Sequence, residues 1–300
     1  MASDIALSTM WAVGRFPDLG GFFEAGRALG FQRFELNHAV DSAMLAGLPP
    51  ETRITGVHEP CPADISMAEL DRRNWLISAL DEEDRQRGVL ATRRSIDLAS
   101  ALGVPVVIVH PGRVDVDPEM EATLVKLHKA GRFGQPEYLR AQARLTEARA
   151  AQAGMNMQAV RRSLVELAGH AAQRHIRLAL ENRFHYREIP LPDELEELLD
   201  LGLGQTVGYW HDIGHAQVLE HLGFAPHQEW LQRFASRMIG VHLHDVKGTQ
   251  DHLAAGSGQV DWEMVAGYLP ASALRTCEFH ASNSPQQVAA GLQWLIDRQI

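Results

Sequence analysis

IRLALENRF, residues 176–184, is a short apolar run that ends in a carboxylate, Glu181. A lone glutamate after such a run is costly to bury unless something pairs with it. The run lies between two amphipathic stretches, 157–174 and 192–201, so it reads as a strand between helices. Working outward, the same unit recurs along the chain. Strands are expected at 5–9, 33–37, 54–58, 105–110, 177–181, 206–211, 238–244 and 274–278, with further helices at 18–29, 85–102, 227–235 and 284–296. Gly30 and Gly103 are expected to end helices, and Asp193 and Ser284 to cap helix starts. Alternation of strand and helix implies parallel pairing through crossovers, and eight units can close into a (β/α)8 TIM barrel. An open doubly wound sheet is the alternative, but no GxGxxG turn follows the first strand.

Each strand from the third onward finishes in a titratable side chain. VHEP supplies His58, VIVHPG supplies His110, and ALEN supplies Glu181. YWHDIGHA supplies His211, Asp212 and His215; GVHLHDVKG supplies His242, His244 and Asp245; RTCEFH supplies Glu278. In a closed barrel these ends converge on one mouth. Carboxylates gathered there would repel one another and raise each other's pKa values, a problem that a divalent cation removes. Mixed nitrogen and oxygen donors suit Zn, Mn, Co or Fe better than Ca. Any one of these histidines is more often an ordinary polar residue, and it is the set at equivalent positions that reverses the odds.

His242 and His244 alternate by two and share a strand face. Asp212 and His215 lie three apart on a turn entering a helix. His211 reads as packing or as support for its neighbours. His38, His128, His170, His175, His221 and His227 are given no role. Lys247 is open to two readings, a contact for an anionic substrate or a solvated loop lysine. His252 precedes a glycine pair, Gly256 and Gly258, that either lets backbone approach a ligand closely or simply turns the chain.

The 300 residues are 45% hydrophobic and 22% charged, which suits one domain over 1–300 with a large core. A formal net charge of −10 does not advertise a nucleic-acid surface, since phosphate backbones are bound through an excess of Lys and Arg. The two cysteines, Cys61 and Cys277, form no CxxC pair and no disulfide framework. With no signal-like start and no apolar run near the ~20 residues of a membrane helix, a cytoplasmic setting is expected. Connections 59–84 and 111–154 are too long for plain βα loops. The second contains helical parts at 121–128 and 137–153, so 111–154 is expected to be a helical insertion after strand 4, either a lid or surface decoration. A homo-oligomer is left open.

VHEP, HPG, ALEN, HDIGHA, GVHLHDVKG and DHLAAGSG, in this order, resemble the xylose isomerase-like superfamily of metal-dependent TIM barrels. That superfamily includes sugar and sugar-phosphate isomerases and epimerases and also endonuclease IV. The epimerase branch implies one metal held by Glu181, Asp212, His242 and Glu278, with Glu181 and Glu278 also serving as the acid/base pair. His215 then matches a substrate-binding position, and His58, His110, His244, Lys247 and His252 join it as substrate contacts. The endonuclease branch implies up to three zinc ions on a wider set that adds His58, His110, His215 and His252 as ligands. Gln250 stands where that branch has an aspartate, and the neighbouring Asp251 is expected to point elsewhere. The resemblance therefore implies a metal-dependent isomerase or epimerase of a small sugar or sugar-phosphate-like substrate with one ion. A multi-zinc phosphoester hydrolase and a barrel that binds metal or ligand without turnover are the alternatives.

Overall fold

A computed structural model describes residues 4–300. The first half contains β1 (Ala6–Ser8), α1 (Leu19–Ala28), β2 (Arg33–Leu36), α2 (Ser42–Leu45), β3 (Ile54–His58), α3 (Met67–Arg72), α4 (Glu82–Leu102), β4 (Val106–Val109), α5 (Pro118–Lys129) and α6 (Pro136–Ala172). The second half contains β5 (Arg177–Glu181), α7 (Pro192–Leu199), β6 (Val207–Asp212), α8 (Ile213–His221), α9 (His227–Phe234), β7 (Met238–Leu243), β8 (Asp245–Lys247), β9 (Gln250–Leu253), α10 (Trp262–Tyr268), β10 (Leu274–Cys277) and α11 (Pro285–Asp297).

Among the described residues, β1 to β7 and β10 form a closed barrel of parallel strands. Closure is made by β1 against β10, with Ala6 opposite Thr276 and Leu7 opposite Cys277. That pairing removes the open-sheet alternative. No described helix is long and apolar enough to cross a membrane.

Local signals set the helix ends. Asp81 accepts from the backbone N–H groups of Glu83 and Asp84, and Gly103 closes α4 at φ 66°. Ser284 and Gln287 form a capping box at the start of α11. Asp193 does not cap α7: Pro192 takes the first helical position, Glu194 accepts from Leu191 N–H, and the Asp193 carboxylate reaches Arg233 instead. The expected helices at 137–153 and 157–174 are one 37-residue helix, α6. Gly154 does not interrupt it, since a helical glycine costs only about 1 kcal/mol relative to alanine.

The apolar residues form two bodies. The larger lies between strands and helices and includes Leu7, Phe34, Val57, Val107, Leu178, Leu180, Tyr209, Val241 and Leu243. The smaller fills the barrel itself and consists of Val106, Ile108, Ala179, Trp210 and Ile239. Alternate residues of a strand face opposite sides. The positions two beyond this interior layer are therefore His110, Glu181 and Asp212, which also face inward at the mouth. Trp210 is the largest piece of the floor. Its ring meets His242 edge-on, with centroids 5.1 Å apart.

Gly240 makes room for that indole, because a Cβ there would clash with the edge of the Trp210 ring. Gly240→Ala should therefore destabilise the fold by about 1–3 kcal/mol, the usual cost of overpacking a filled core. Urea unfolding of the purified protein measures this. A loss below 0.5 kcal/mol, on the order of a neutral surface change, would show that the floor is loosely packed.

Candidate metal centre

The innermost group gathers on one nitrogen. His242 Nδ1 lies 2.8 Å from Glu181 Oε1, 3.1 Å from Glu278 Oε2 and 3.4 Å from Asp212 Oδ2. All four side chains are buried. Their donor atoms lie within 4.8 Å of one another. The other ring nitrogen, Nε2, faces Glu35 Oε1 at 3.1 Å. Glu35 is fully buried at the end of β2 and escaped the sequence reading. A signal existed: Glu35 stands between Phe34 and Leu36 in a short strand, so the period of two sets it on the face opposite those two apolar residues.

A second group shares Glu181. His58 Nε2 and His110 Nε2 face each other at 2.5 Å, and Glu181 Oε2 is 3.2 Å from the His110 nitrogen and 3.8 Å from the His58 nitrogen. The third group comprises His215, Asp251 and His252. Asp251 Oδ2 lies 3.0 Å from His252 Nδ1 and 3.9 Å from His215 Nε2. The expectation that Asp251 points elsewhere is corrected here. β8 and β9 pair antiparallel with a register irregularity, and they fold residues 245–253 back toward the mouth. His252 takes a positive φ of 54° on that hairpin, which helps turn its ring to the site. Gly256 and Gly258 serve the loop's own packing, against the Trp294 indole and the Asp245 carboxylate respectively.

Further residues orient the donors. His244 Nδ1 accepts from His252 N–H at 2.9 Å, which leaves Nε2 to donate to Asp212 Oδ1 at 2.9 Å. Both His244 nitrogens are thus occupied within the protein. The Asn182 carbonyl oxygen of the side chain accepts from Asp212 N–H and from the Tyr209 hydroxyl, each at 2.8 Å. Tyr209 also meets His211 Nδ1 at 2.6 Å. His211 therefore supports Asp212 at one remove, and His227 contacts its far nitrogen at 3.0 Å. Glu59 accepts from His110 N–H at 2.9 Å. His38, given no role from sequence, has its ring 5.6 Å from that of His58. Lys247 lies exposed on β8, away from the gathered donors.

Burial alone would neutralise these carboxylates, since it favours the uncharged acid. It is outweighed. Glu181 is held well below the usual carboxylate range by Arg183 and His58 together with bonds to His110 and His242. Asp212 and Glu278 are depressed likewise, Asp212 by His215 and His244, Glu278 by His242 and His252. His242 is pushed well above its ordinary value because Glu278 and Glu35 overcome its burial. Burial, then Arg183 and His58, drive His110 well below its ordinary value. Glu59 is pushed up to about 7 by burial.

The donor set fits a divalent cation. His110 Nδ1 is a buried polar atom with no hydrogen-bond partner, and His58 Nδ1 and Glu278 Oε1, also without one, face each other at 3.4 Å. Two imidazole nitrogens at 2.5 Å with a carboxylate beside them share a focus that one proton satisfies poorly. Glu181, Asp212, His242 and Glu278 would hold one ion; further overlapping candidate groups are His58, His110 and Glu181; His215, Asp251 and His252; Glu35, His58, His242 and Glu278; and Asp212, His244, His252 and Glu278. The site opens into a cavity of about 560 Å³ whose wall includes His110, His215, Asp251 and His252 beside Trp75, Phe184 and three arginines.

A closed parallel barrel with imidazoles and carboxylates converging at the strand carboxyl ends defines a metal-capable α/β barrel. The chain belongs to the xylose isomerase-like TIM barrel family, whose model matches residues 23–298. An uncharacterized protein of Sinorhizobium fredii is 24% identical over 213 residues, covering 71% of this chain and 57% of that protein. An uncharacterized protein of Methanocaldococcus jannaschii is 26% identical over 188 residues, 62% of this chain and 53% of that one. The chain thus spans about half the length of the curated relatives it matches. Among solved structures, a D-tagatose 3-epimerase-like protein superposes with a TM-score of 0.68 at 18% identity, covering 98% of this chain and 96% of that one. L-Ribulose 3-epimerase gives 0.64 at 14%, with 98% and 93% covered. The IOLI protein with a bound zinc atom gives 0.63 at 12%, with 99% of each chain covered. At these identities the likeness is one of fold.

Glu35 faces His242 Nε2 and lies 3.8 Å from His58 Nδ1, and with these two and Glu278 it forms a further candidate donor group. Glu35→Gln should weaken divalent-metal binding by roughly 10–100-fold, the usual cost of losing a carboxylate that orients a metal-ligating histidine. Competition of the folded variant with a chromogenic chelator measures this. Unchanged affinity would show that Glu35 serves packing alone.

Proposed function

We propose that this protein is a metal-dependent isomerase or epimerase acting on a small sugar or sugar-phosphate-like substrate by proton transfer beside a carbonyl. The observation that carries the reading is the pair Glu181 and Glu278. Both are buried, both reach the same His242 nitrogen, and they arrive from β5 and β10, which β6 and β7 separate on the barrel wall. Two carboxylates that approach one point from different strands can serve two faces of a substrate carbon. A divalent ion held by Glu181, Asp212, His242 and Glu278 would polarise a substrate carbonyl and its hydroxyl neighbour and so acidify the adjacent C–H.

The residues of the chain then do the rest. One glutamate takes the proton, and the electron pair of the broken C–H bond moves toward the carbonyl. The other glutamate, given a proton by a neighbouring imidazolium such as His252 beside Glu278, passes it to the opposite face and is left as the carboxylate. Asn182 and His244 keep Asp212 fixed while this happens. Arg183, in contact with Glu181 and 3.4 Å from Glu188, supplies positive charge next to one of the two glutamates. The structural neighbours include a D-tagatose 3-epimerase-like protein and L-ribulose 3-epimerase, which agrees with this reading. His58, His110, His215 and His252 are left as substrate contacts.

A second reading, a multi-metal phosphoester hydrolase, is favoured by one observation: the donors form several overlapping groups, and Asp251 supplies the carboxylate of the one with His215 and His252. Metal stoichiometry separates the two. The isomerase reading expects one tightly held ion per chain. Two or three stoichiometric ions would promote the hydrolase.

Glu181→Gln and Glu278→Gln should each lower turnover by roughly 10²–10⁴-fold on a ketose or ketose phosphate. Each variant should also stop wash-in of deuterium from D₂O at the carbon beside the carbonyl, read by NMR, with metal content measured in the same sample. Near-normal exchange in a metal-loaded variant refutes the assignment of that residue.

A further inference from the structure

Three guanidinium groups line the cavity beside the metal centre: Arg113, Arg183 and Arg187. Arg183 is engaged by Glu181 and Glu188. Arg113 is engaged by the side chain and carbonyl of Asp71, a residue whose side chain is 48% exposed and free to swing into solvent. Arg187 differs. Its side chain is only 16% exposed, yet its guanidinium makes no hydrogen bond among the described residues. The nearest carboxylate oxygen, Glu121 Oε2, is 3.8 Å from Nε, beyond hydrogen-bonding range, and that oxygen also lacks a partner. None of its nitrogens is fully enclosed, so its unspent donors open onto the cavities that it lines, where an incoming group can take them.

The backbone holds Arg187 and Arg113 side by side. Val114 N–H donates to Arg187 O at 2.8 Å, Ile189 N–H donates to Gly112 O at 2.9 Å, and Arg113 bridges antiparallel to Glu188. The like charges interact: burial first, then Arg187, lower the pKa of Arg113. Arg187 also stands, with Phe184 and His185, at the junction of the 560 Å³ cavity and a neighbouring one of about 510 Å³ bordered by α5. Lys126 and Lys129 of α5 line that second space. Two adjacent guanidiniums that repel each other across open space are relieved by an anion. The planar fork of arginine suits the two oxygens of a phosphate or carboxylate.

We infer that the substrate carries an oxyanion, a phosphate ester or a carboxylate, gripped by Arg187 and Arg113 while its polyhydroxy end reaches the carboxylate–imidazole cluster. The anion subsite stands on the arginine geometry, and only the assignment of the other end rests on the isomerase reading. Asp71 gives up Arg113 to the incoming anion, and Arg183 stays with its glutamates.

Calorimetric titration of the full chain with inorganic phosphate, and separately with acetate, tests this on protein both loaded with metal and stripped by chelator. At least one anion should bind in both preparations. Preference for phosphate identifies a phosphate ester, and preference for acetate a carboxylate. Arg187→Gln should weaken that binding roughly 10–100-fold, the loss expected for a hydrogen-bonded charge. Arg187→Lys, which keeps the charge should the glutamine variant fail to fold, should weaken it less than Arg187→Gln but measurably. Binding that survives both substitutions, that vanishes when metal is stripped, or that is absent for both anions overturns the inference. A failure of deuterium wash-in with anion binding intact would instead sink the isomerase reading and leave the subsite standing.

Discussion

Everything at the mouth of this barrel depends on compensating buried negative charge. Glu35, Glu181, Asp212 and Glu278 are all within reach of a single imidazole, His242, and none has appreciable contact with water. An unpaired carboxylate in such a place would take up a proton and lose its charge. Here the surrounding imidazoles and Arg183 keep Glu181, Asp212 and Glu278 ionised, at the expense of a proton that His242 holds far more tightly than a free histidine would. A divalent cation does the same work with two charges at one point, which is why the donor set suits one.

The fold prepares that arrangement from below. Trp210, Ile108, Ala179 and their neighbours fill the barrel with apolar side chains, so the donors rest on a dry floor. A low-dielectric floor strengthens every interaction above it and penalises any donor left without a partner. Glycine at position 240 leaves room for the large indole, whose ring meets that of His242 edge-on. The hydrogen-bonded chain Asp212–Asn182–Tyr209–His211–His227 then ties the mouth to α9 on the outside of the barrel. Loss of packing on the outer face would thus be felt at the metal-facing carboxylate.

The loops supply what the barrel lacks. Residues after β4 and β5 bring the arginines together through a short antiparallel bridge. The β8–β9 hairpin brings Asp251 and His252 over the mouth, and Asp245 secures it by accepting from the N–H groups of Val246, Gly256 and Val260 and from the Trp262 indole. The segment after β4 forms two helices rather than a coil. Its α5 packs beside the mouth through Glu121, which accepts from Tyr186 N–H at 2.7 Å.

Strand and helix periods are local properties, so the sequence by itself determined the eight strands of the barrel and the inward side of each. It also put Glu181, His242 and Glu278 at strand ends and Asp212 on the turn after one, while the grouping of these four came from the family resemblance. Gathering is not local. Which donors share a focus depends on the register between strands and on closure of β1 against β10, and Glu35 joined the site only through that closure. Asp251 was misread because a hairpin irregularity, invisible in the residue pattern, sets where its side chain points. The vacant bonds of Arg187 could not be read from sequence at all. A missing partner is a fact about every neighbour in space, and only the tertiary structure decides it.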